Sequence, residues 1–498
     1  MDCVMYSASI RLLFLFTVCL YLGPAKASAK DYFLTLGGGY SRDGNQASLE
    51  KNVLYFQKLL AESEFPASDQ SIYFANGNTD EATVQTIAPE LLPRPNQLMA
   101  EFFGSDENLG LSYHPHTIEG VKGPLSVASL EKWFDSMASV IGADDRLIIY
   151  VTAHGTESED DRTPYNTTIA LWDDEEITVE QFCRQLDKLP TETEVVTIMV
   201  QCYSGGFSHI IFDKGHPHSG LSSQRRCGFF ATVHDRQAAG CTAEIDEASY
   251  VEYSTYFLNA LAGHDRSGNP IPPPDYNNDG KTTFEEAHAY TILTADTIDL
   301  SVKTSGEYLS VYSRFRNNGH PDLLTDEEPY DTLLKYATPS ERAVLEGLSE
   351  QLNLTGQDRI DQAWRATDSR QSGRRGRRPR SRGPEQQLRL LENKIARDLT
   401  EKWPELSNVL NPVAIEFLTS RQQEFVEAIE NHPDFGLYQT LKKTVENTPD
   451  SEKKSVKYER FLRVADNIIL AENLRRLGDR DQIAEFEQIV ELESGTLR

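Results

Sequence analysis

Short apolar runs alternate with amphipathic stretches along the first 324 residues of the chain. The apolar runs predict strands at 31–36, 71–75, 146–151, 195–200 and 228–233. Apolar residues spaced by three and four predict helices at 47–61, 127–141, 179–189 and 250–262. The runs at 146–151 and 195–200 are almost wholly apolar, which is typical of parallel strands covered on both faces. The sequence therefore predicts an α/β domain over 30–324, with a mostly parallel sheet flanked by helices.

The pattern changes after residue 324. Strand patterns stop, and helical periodicity predicts a helical extension over 325–369 and a helical C-terminal domain over 385–498. The segment between them, 370–384, reads RQSGRRGRRPRSRGP and has no large apolar residue, so it cannot pack into a core. We interpret it as a disordered linker. A solvated spacer, a processing site and a contact for an anionic partner stay open as its role.

Charge limits the partners of the chain. The protein carries 49 basic and 77 acidic residues, which gives a net charge of −28. An acidic surface argues against general binding of nucleic acid or of anionic membranes, and it favours solubility and cation binding. We therefore expect no nucleic-acid partner.

The first residues have the pattern of a targeting segment. Arg11 precedes the apolar stretch Leu12–Leu22, and Ala27-Ser28-Ala29 has the form of a signal-peptidase cleavage site. We predict a secretory signal peptide over 1–29, with an uncleaved anchor helix as the alternative. The mature chain is then expected to be secreted or periplasmic, with no membrane contact once the signal is cleaved.

Four cysteines follow the predicted signal peptide: Cys183, Cys202, Cys227 and Cys241. In an oxidising compartment a persistent free thiol needs a reason. Cys227 and Cys241 bracket a short segment and are candidates for a disulfide, although sequence alone does not decide connectivity. That pairing would leave Cys183 as a core residue of a helix and Cys202 as a reactive thiol.

Cys202 and His154 each follow a predicted buried strand and precede small residues, Tyr-Ser-Gly-Gly after the cysteine and Gly155 after the histidine. Because the carboxyl ends of parallel strands lie at one edge of a sheet, we expect the two side chains to meet there. Cysteine beside histidine is a nucleophile with its base. The amides of Gly155 and Cys202 would form an oxyanion hole, and the turn Ser204–Gly206 would leave room for a substrate backbone. Either residue alone is more often structural; the pair favours catalysis.

These residues resemble a known superfamily. Strand–His–Gly, followed further along by strand–Cys–x–Ser–Gly, is similar to the caspase–legumain–metacaspase cysteine peptidases, and CYSGG at 202–206 resembles the C-x-S-G motif of legumains and metacaspases. EASYVEY at 247–253 is similar to the legumain E-S-S-Y segment that lines the primary specificity pocket, and Gln46-Ala47 resembles a second segment near that pocket. The resemblance covers 31–263 and is closest to legumain. It implies a caspase/legumain-like fold.

The resemblance also implies a secreted cysteine endopeptidase that needs no cofactor for catalysis. Cys202 would attack the peptide carbonyl and His154 would act as general acid and base. The candidate substrate-binding residues are Glu247, Ser249, Tyr250 and Asp235. Relatives that cut their own chain imply self-cleavage within the basic segment 370–384.

Two positions depart from the family pattern. Val200 stands two residues before the candidate nucleophile, where the families have a polar or acidic residue, and Gly44-Asn45 stand where a legumain-like arginine would precede Gln46. The preference of legumains for cleavage after Asn is therefore not carried over to this chain.

The segment 275–286, DYNNDGKTTFEE, has the spacing of an EF-hand calcium loop with Gly at its sixth position. The candidate metal ligands are Asp275, Asn277, Asp279, Lys281 through its carbonyl, Thr283 and Glu286. The expected role of a bound Ca²⁺ is structural. The alternative is an Asx-rich turn that caps a helix from Phe284 onward.

Two functions other than proteolysis stay open. The same acyl-enzyme, intercepted by an amine, would make the chain a transamidase. A catalytically silent, calcium-binding interaction protein is the alternative of a different class, and selective labelling of Cys202 by a thiol-directed probe discriminates against it.

Overall fold

The computed structural model describes residues 29–105, 108–244, 250–314, 320–373, 384–446 and 451–497. The predicted signal peptide, except Ala29, lies outside these residues, as does most of the predicted linker. Within the described ranges, no helix is both long enough and apolar enough to span a bilayer.

Helices and strands occur throughout the described residues. The strands are β1 (Asp31–Gly38), β2 (Gln70–Phe74), β3 (Val84–Ile87), β4 (Leu111–His114), β5 (Val121–Gly123), β6 (Arg146–Ala153), β7 (Thr168–Ala170), β8 (Glu176–Thr178), β9 (Glu194–Met199), β10 (Arg226–Phe230) and β11 (Val302–Lys303). The helices are α1 (Ala47–Glu62), α2 (Arg94–Phe103), α3 (Val127–Met137), α4 (Val179–Leu186), α5 (Tyr253–Ala262), α6 (Phe284–Thr294), α7 (Thr304–Tyr312), α8 (Tyr330–Tyr336), α9 (Pro339–Leu352), α10 (Arg359–Gly373), α11 (Pro384–Lys402), α12 (Pro412–Glu416), α13 (Gln422–Glu430), α14 (Phe435–Glu446), α15 (Ser451–Leu477) and α16 (Arg480–Glu493).

A seven-stranded sheet forms the centre of the fold, in the order β11-β10-β9-β6-β1-β2-β5. Its strands pair in parallel except β11, which runs antiparallel to β10. Every residue of β6, the middle strand, is buried, as its continuous apolar sequence predicts for a parallel strand covered on both faces. The expected α/β architecture with a mostly parallel, helix-flanked sheet is confirmed.

Alternate residues of the strands feed two cores, because successive side chains of a strand point to opposite faces. On one face, Ile149 and Val151 pack in a cluster with residues of α3, α4 and α7. On the other face, Ile148 and Tyr150 pack with residues of α1, α5 and α6. Helices therefore cover both faces and leave the carboxyl ends of the strands as the edge at which side chains converge.

The last two helices belong to the same core as the sheet. Leu474 of α15 and Phe486 and Ile489 of α16 lie in the cluster on the first face, and Leu492 lies in the cluster on the second. A separate cluster joins α11, α13 and α14 to α2. The helical C-terminal region is thus confirmed as helical, and residues 451–497 within it complete the sheet domain.

All four cysteines of the described chain are free thiols. The expected pairing of Cys227 with Cys241 is therefore wrong. Cys227 lies inside β10 and packs into the core on the α5 face, whereas Cys241 follows the strand and packs against a different cluster beside α1 and β2. The expectation that Cys183 is a helical core residue is confirmed, because it lies in α4 and is fully buried.

Candidate active site

The loops after β6 and β9 bring His154-Gly155 and Cys202 together. The two strands are neighbours, and Val151 of β6 pairs with Met199 of β9. A Cβ built on Gly155 would lie only 2.4 Å from the carbonyl oxygen of Cys202, so only glycine fits between these two loops. Among the described residues, no acceptor pairs with the amide of Gly155. The expected meeting of the two strand ends is found, and an unpaired amide lies beside the cysteine.

Cys202 sits on a tight turn. Tyr203, the next residue, has a left-handed backbone with φ of 60°, which a bulky residue adopts only when its surroundings impose it. Its amide donates to the carbonyl of Arg236 at 2.8 Å, and its carbonyl accepts from the hydroxyl of Thr167 at 3.0 Å. These contacts hold the strained turn that carries the thiol.

The sulfur of Cys202 is in contact with the segment that follows β10. The amide of Ala238 donates to Sγ at 3.3 Å. Burial raises the pKa of the Cys202 thiol, hydrogen bonds from the amides of Ala238 and Cys202 itself oppose this, and the negative charge of Asp299 adds to the rise. The thiol is therefore protonated at neutral pH and needs a base to become a nucleophile.

His154 is oriented by two oxygen atoms. Its Nε2 lies 2.8 Å from the carbonyl oxygen of Gly44 and 2.9 Å from Oε1 of Gln46, and the edge of the Tyr40 ring packs against the imidazole. A carbonyl oxygen only accepts, so the proton is on Nε2 and the lone pair of the neutral imidazole is on Nδ1. Burial lowers the pKa of His154, with the Gly44 hydrogen bond opposing. The ring is thus a neutral base at neutral pH.

The residues after Cys202 differ from their expected role. Ser204–Ile211 form a 3-10 helix and are all buried. A Cβ on Gly205 would lie 2.6 Å from the carbonyl oxygen of Thr232, and one on Gly206 would lie 2.2 Å from Oγ1 of Thr167. The expectation that the turn leaves room for a substrate is wrong, because its glycines permit close packing against neighbouring backbone.

Two of the four predicted substrate-binding residues lie outside the described chain, and the other two, Tyr250 and Asp235, are described. Glu247 and Ser249 are among residues 245–249, which lie outside it. The hydroxyl of Tyr250 donates to the carbonyl of Glu244 at 2.6 Å. Asp235 is exposed and interacts electrostatically with His234.

The structure also contains a buried polar network that the sequence does not predict. It connects α1 to β6, the strand that precedes His154. Nδ2 of Asn52 donates to Oγ1 of Thr152, two residues before His154, at 3.1 Å, and Oδ1 of Asn52 accepts from the guanidinium of Arg266. Arg266 in turn pairs with Glu252 at 3.4 Å. Burial raises the pKa of the Glu252 carboxyl, and the charge of Arg266 opposes this rise.

This network reaches the segment that contacts Cys202. A Cβ on Gly240, two residues after Ala238, would lie 2.5 Å from Oε2 of Glu252. The guanidinium of Arg266 also lies over the ring of Tyr250, with 5.4 Å from Cζ to the ring centroid. A carboxylate, a guanidinium and an aromatic ring are therefore grouped together, and through Gly240 they border the segment that contacts Cys202.

The predicted calcium loop folds as a turn that satisfies its own carboxylates. Asp275 accepts from the amides of Asp279 and Gly280, each at 2.9 Å. Oε1 of Glu286 accepts from the amide of Tyr276 at 2.9 Å, and Oε2 accepts from the amide and hydroxyl of Thr283 in a capping box at the start of α6.

The carboxylates of this loop do not converge as metal ligands. Within the described residues, ligand atoms of three acidic, histidine or cysteine side chains converge only at Asp398, His432 and Asp434, none of which belongs to the loop. The arrangement of 275–286 therefore fits the expected Asx turn and cap. Calcium binding stays a prediction that requires Glu286 to leave its capping position.

Comparisons with known proteins assign no family. No family model matches the chain, and no curated protein matches it. Among solved structures, the chain is similar to the crystal structure of protein GSU0716 from Geobacter sulfurreducens, with a TM-score of 0.29 and 10% identity over 52% of this chain and 88% of that chain. A likeness of this size carries no argument about fold or function.

Proposed function

We propose that the protein is a caspase/legumain-like cysteine endopeptidase in which Cys202 is the nucleophile and His154 is the general base. The observation that carries the proposal is the convergence of His154-Gly155 and Cys202 at the ends of two adjacent parallel strands, with only a glycine fitting between them. The Gly44 carbonyl supports it, because it leaves the lone pair of the imidazole on Nδ1. The half-buried thiol and the half-buried imidazole are both neutral at neutral pH, and they would become charged only as proton transfer accompanies attack.

The reaction proceeds in two halves. Nδ1 of His154 takes the proton of the thiol as Sγ forms a bond to the substrate carbonyl carbon, and the carbonyl electron pair moves onto oxygen. The amides of Gly155 and Cys202 stabilise that oxyanion. As the intermediate collapses, the peptide C–N bond breaks and the leaving amine takes the proton from the imidazolium. Water then attacks the thioester, gives a proton to Nδ1, and the acid product leaves as the thiol is restored.

The buried polar network around Arg266 is the proposed site of side-chain selection. Glu252 and Arg266 form its charged part, and Tyr250 belongs to it through its contact with Arg266. This supports Tyr250 among the candidate pocket residues. Glu247, Ser249 and Asp235 stay predictions.

Further properties belong to the same proposal. The chain is exported by its N-terminal signal, it acts on proteins or peptides, and it cuts itself in the basic segment 370–384. No cofactor takes part in the chemistry, and calcium is a structural ligand of the 275–286 loop. Interception of the thioester by an amine instead of water would give the transamidase.

The test is intact-mass analysis of the purified mature protein beside its Cys202→Ala variant, with and without calcium and a reductant. Iodoacetamide reports the thiol, and a pool of peptides with basic and Asn residues reports cleavage. We expect one fast alkylation at Cys202 and cleavage by the wild type alone. Joined peptides in place of cut ones would indicate the transamidase. A Cys202 that reacts only after denaturation, with no cleavage by either protein, would overturn the proposal in favour of the silent interaction protein.

A further inference from the structure

A buried carboxylate lies beside the segment that contacts the thiol. Asp299, in the loop between α6 and β11, is 1% exposed. Its Oδ1 accepts from the amide of Ala239 at 2.6 Å, and within the described chain its Oδ2 has no hydrogen-bond partner. Burying a carboxylate with one oxygen unpaired costs free energy. The fold keeps Asp299 in contact with the amide of Ala239 despite that cost.

This contact determines where a hydrogen bond to the sulfur can form. Ala238 and Ala239 are consecutive, and the amide of Ala238 donates to Sγ of Cys202 at 3.3 Å. With the amide of Ala239 held by Asp299, the planar peptide unit that joins Ala238 to Ala239 is held as well, and with it the Cα atom that carries the amide nitrogen of Ala238. An amide that donates to sulfur stabilises the thiolate relative to the thiol. The position of Asp299 therefore bears on the reactivity of Cys202 without contact between the two side chains.

Helix α15 holds the Asp299 loop in place. The guanidinium of Arg460, 2% exposed, donates to carbonyl oxygens at the end of α6 and along the loop that follows it. The acceptors are Ile292 at 3.2 Å, Ala295 at 2.6 Å, Thr297 at 3.2 Å and Asp299 at 2.8 Å, with the hydroxyl of Thr297 at 2.7 Å. These five hydrogen bonds satisfy acceptors at the end of α6 and in the loop after it, which lack the partners that regular secondary structure would supply.

The neighbouring residue of α15 holds the other end of the thiol-contacting segment. Glu459 pairs with Arg236 at 2.6 Å, and the carbonyl of Arg236 accepts from the amide of Tyr203, the residue after the nucleophile. The segment 236–239 is thus attached at both ends to groups that α15 supports, Arg236 through Glu459 and Ala239 through the Asp299 loop.

We propose that Asp299 is a positioning residue for Cys202: supported by Arg460 of α15, it anchors the amide of Ala239 so that the amide of Ala238 donates to the sulfur. The proposal rests on the proposed function, in which Cys202 is the nucleophile. It makes α15 part of the catalytic unit. Docking of the last helices against the sheet domain then sets the reactivity of the thiol.

Two substitutions separate the anchor from the charge. Asp299→Asn keeps an oxygen that accepts from Ala239 and removes the charge, whereas Asp299→Ala removes both. In the full-length protein, we expect the rate constant for alkylation of Cys202 by iodoacetamide, and kcat/KM for a cleaved peptide, to fall about tenfold in the Ala variant relative to the Asn variant, the effect of one lost hydrogen bond. Arg460→Lys, which cannot donate to as many carbonyls, should lower both quantities in the Asp299 background and change neither in the Asp299→Ala background.

Asp466→Ala is the control, because Asp466 is a half-buried acid on the same helix that lies outside this chain of contacts. It should leave both rates unchanged. Equal alkylation rates for the Asn and Ala variants, with thermal melting confirming that both are folded, would overturn the positioning role. The alkylation rates could change as expected although neither the wild type nor any variant cleaves peptides. In that case the positioning role stands and the proposed function fails. If the wild type cleaves peptides and Asp299→Ala cleaves them as fast as the wild type does, the proposed function stands and the positioning role fails.

Discussion

The guanidinium of Arg146, at the first position of β6, donates a hydrogen bond of 2.6 Å to the carbonyl oxygen of Thr496. The same side chain makes two parallel bonds to the carboxylate of Asp31, at 3.0 and 2.7 Å, and both side chains are buried. The start of the two central strands and the end of the chain are therefore joined at one buried ion pair.

Removing one partner of this pair is expected to destabilise the whole sheet domain. Arg146→Met leaves the carboxylate of Asp31 buried without its guanidinium, which costs about 3–5 kcal/mol in comparable pairs. The urea midpoint should fall accordingly, and the double variant Arg146→Met/Asp31→Leu should recover most of the loss. Arg162→Met is the control, since Arg162 is 88% exposed in its ion pair with Asp160, and it should leave the midpoint unchanged. A single variant as stable as the wild type would contradict the structural role of the pair.

The pH profile should follow the protonation of His154. Burial lowers its pKa below the ordinary 6.5, and the base must be neutral to take the thiol proton, so the acidic limb of kcat/KM is expected below pH 6.5. Gln46→Glu places a carboxylate against Nε2, favours the imidazolium, and should move that limb upward by about one pH unit. Gln57→Glu adds the same charge elsewhere on α1 and should leave the profile as it is. A limb that stays in place in Gln46→Glu would argue against His154 as the base.

Glycine is required at position 155 by close contacts with backbone atoms. A Cβ there would lie 2.4 Å from the carbonyl oxygen of Cys202 and 2.8 Å from that of Thr168. Gly155→Ala should therefore destabilise the protein by on the order of 1–3 kcal/mol. It should also slow alkylation and cleavage by about a hundredfold through displacement of the thiol loop.

The matched control is Gly436→Ala in α14, where a Cβ meets no heavy atom within 4 Å. It should be neutral or stabilising by roughly 0.5–1 kcal/mol, because alanine favours a helix. Cleavage at the wild-type rate by Gly155→Ala would show that the loops after β6 and β9 leave room for a methyl group.

Calcium binding at 275–286 is tested by its effect on stability. Calcium at a hundredfold excess over its Kd should stabilise the fold by about 2.7 kcal/mol, and chelation with EGTA should lower the melting temperature. Asp279→Asn keeps an oxygen for the amide of Lys281 and removes one carboxylate, so it should fold normally and lose most of the response to calcium. A wild type that melts at the same temperature in calcium and in EGTA would leave the loop with its hydrogen-bonded turn alone.

The two strands that lead into the candidate site could be predicted from local sequence. The apolar run that ends before His154 forms β6, and the run that ends before Cys202 forms β9, since buried parallel strands need continuous apolar residues. Because β6 and β9 are neighbours, the backbones of Gly155 and Cys202 lie close together, as the geometry of parallel sheets predicts.

The rest of the site depends on contacts between distant segments. Gln46 reaches His154 across 108 positions of sequence, and Arg460 reaches Asp299 across 161. Ala238 acts through its amide, and an alanine side chain gives no chemical signal of such a role. The candidate pairing of Cys227 with Cys241 was wrong for the same reason, because spacing along the chain does not say which core each cysteine enters.

The last two described helices, α15 and α16, carry a consequence for any cleavage within the basic segment 370–384. Residues of α15 and α16 lie in the same hydrophobic clusters as the central strands. The carboxylate of Glu493 accepts hydrogen bonds from Thr304 and Ser305, the first two residues of α7. A cut between 370 and 384 would sever the polypeptide without separating its parts. Maturation would then yield two fragments on a denaturing gel and one particle of unchanged mass by native light scattering.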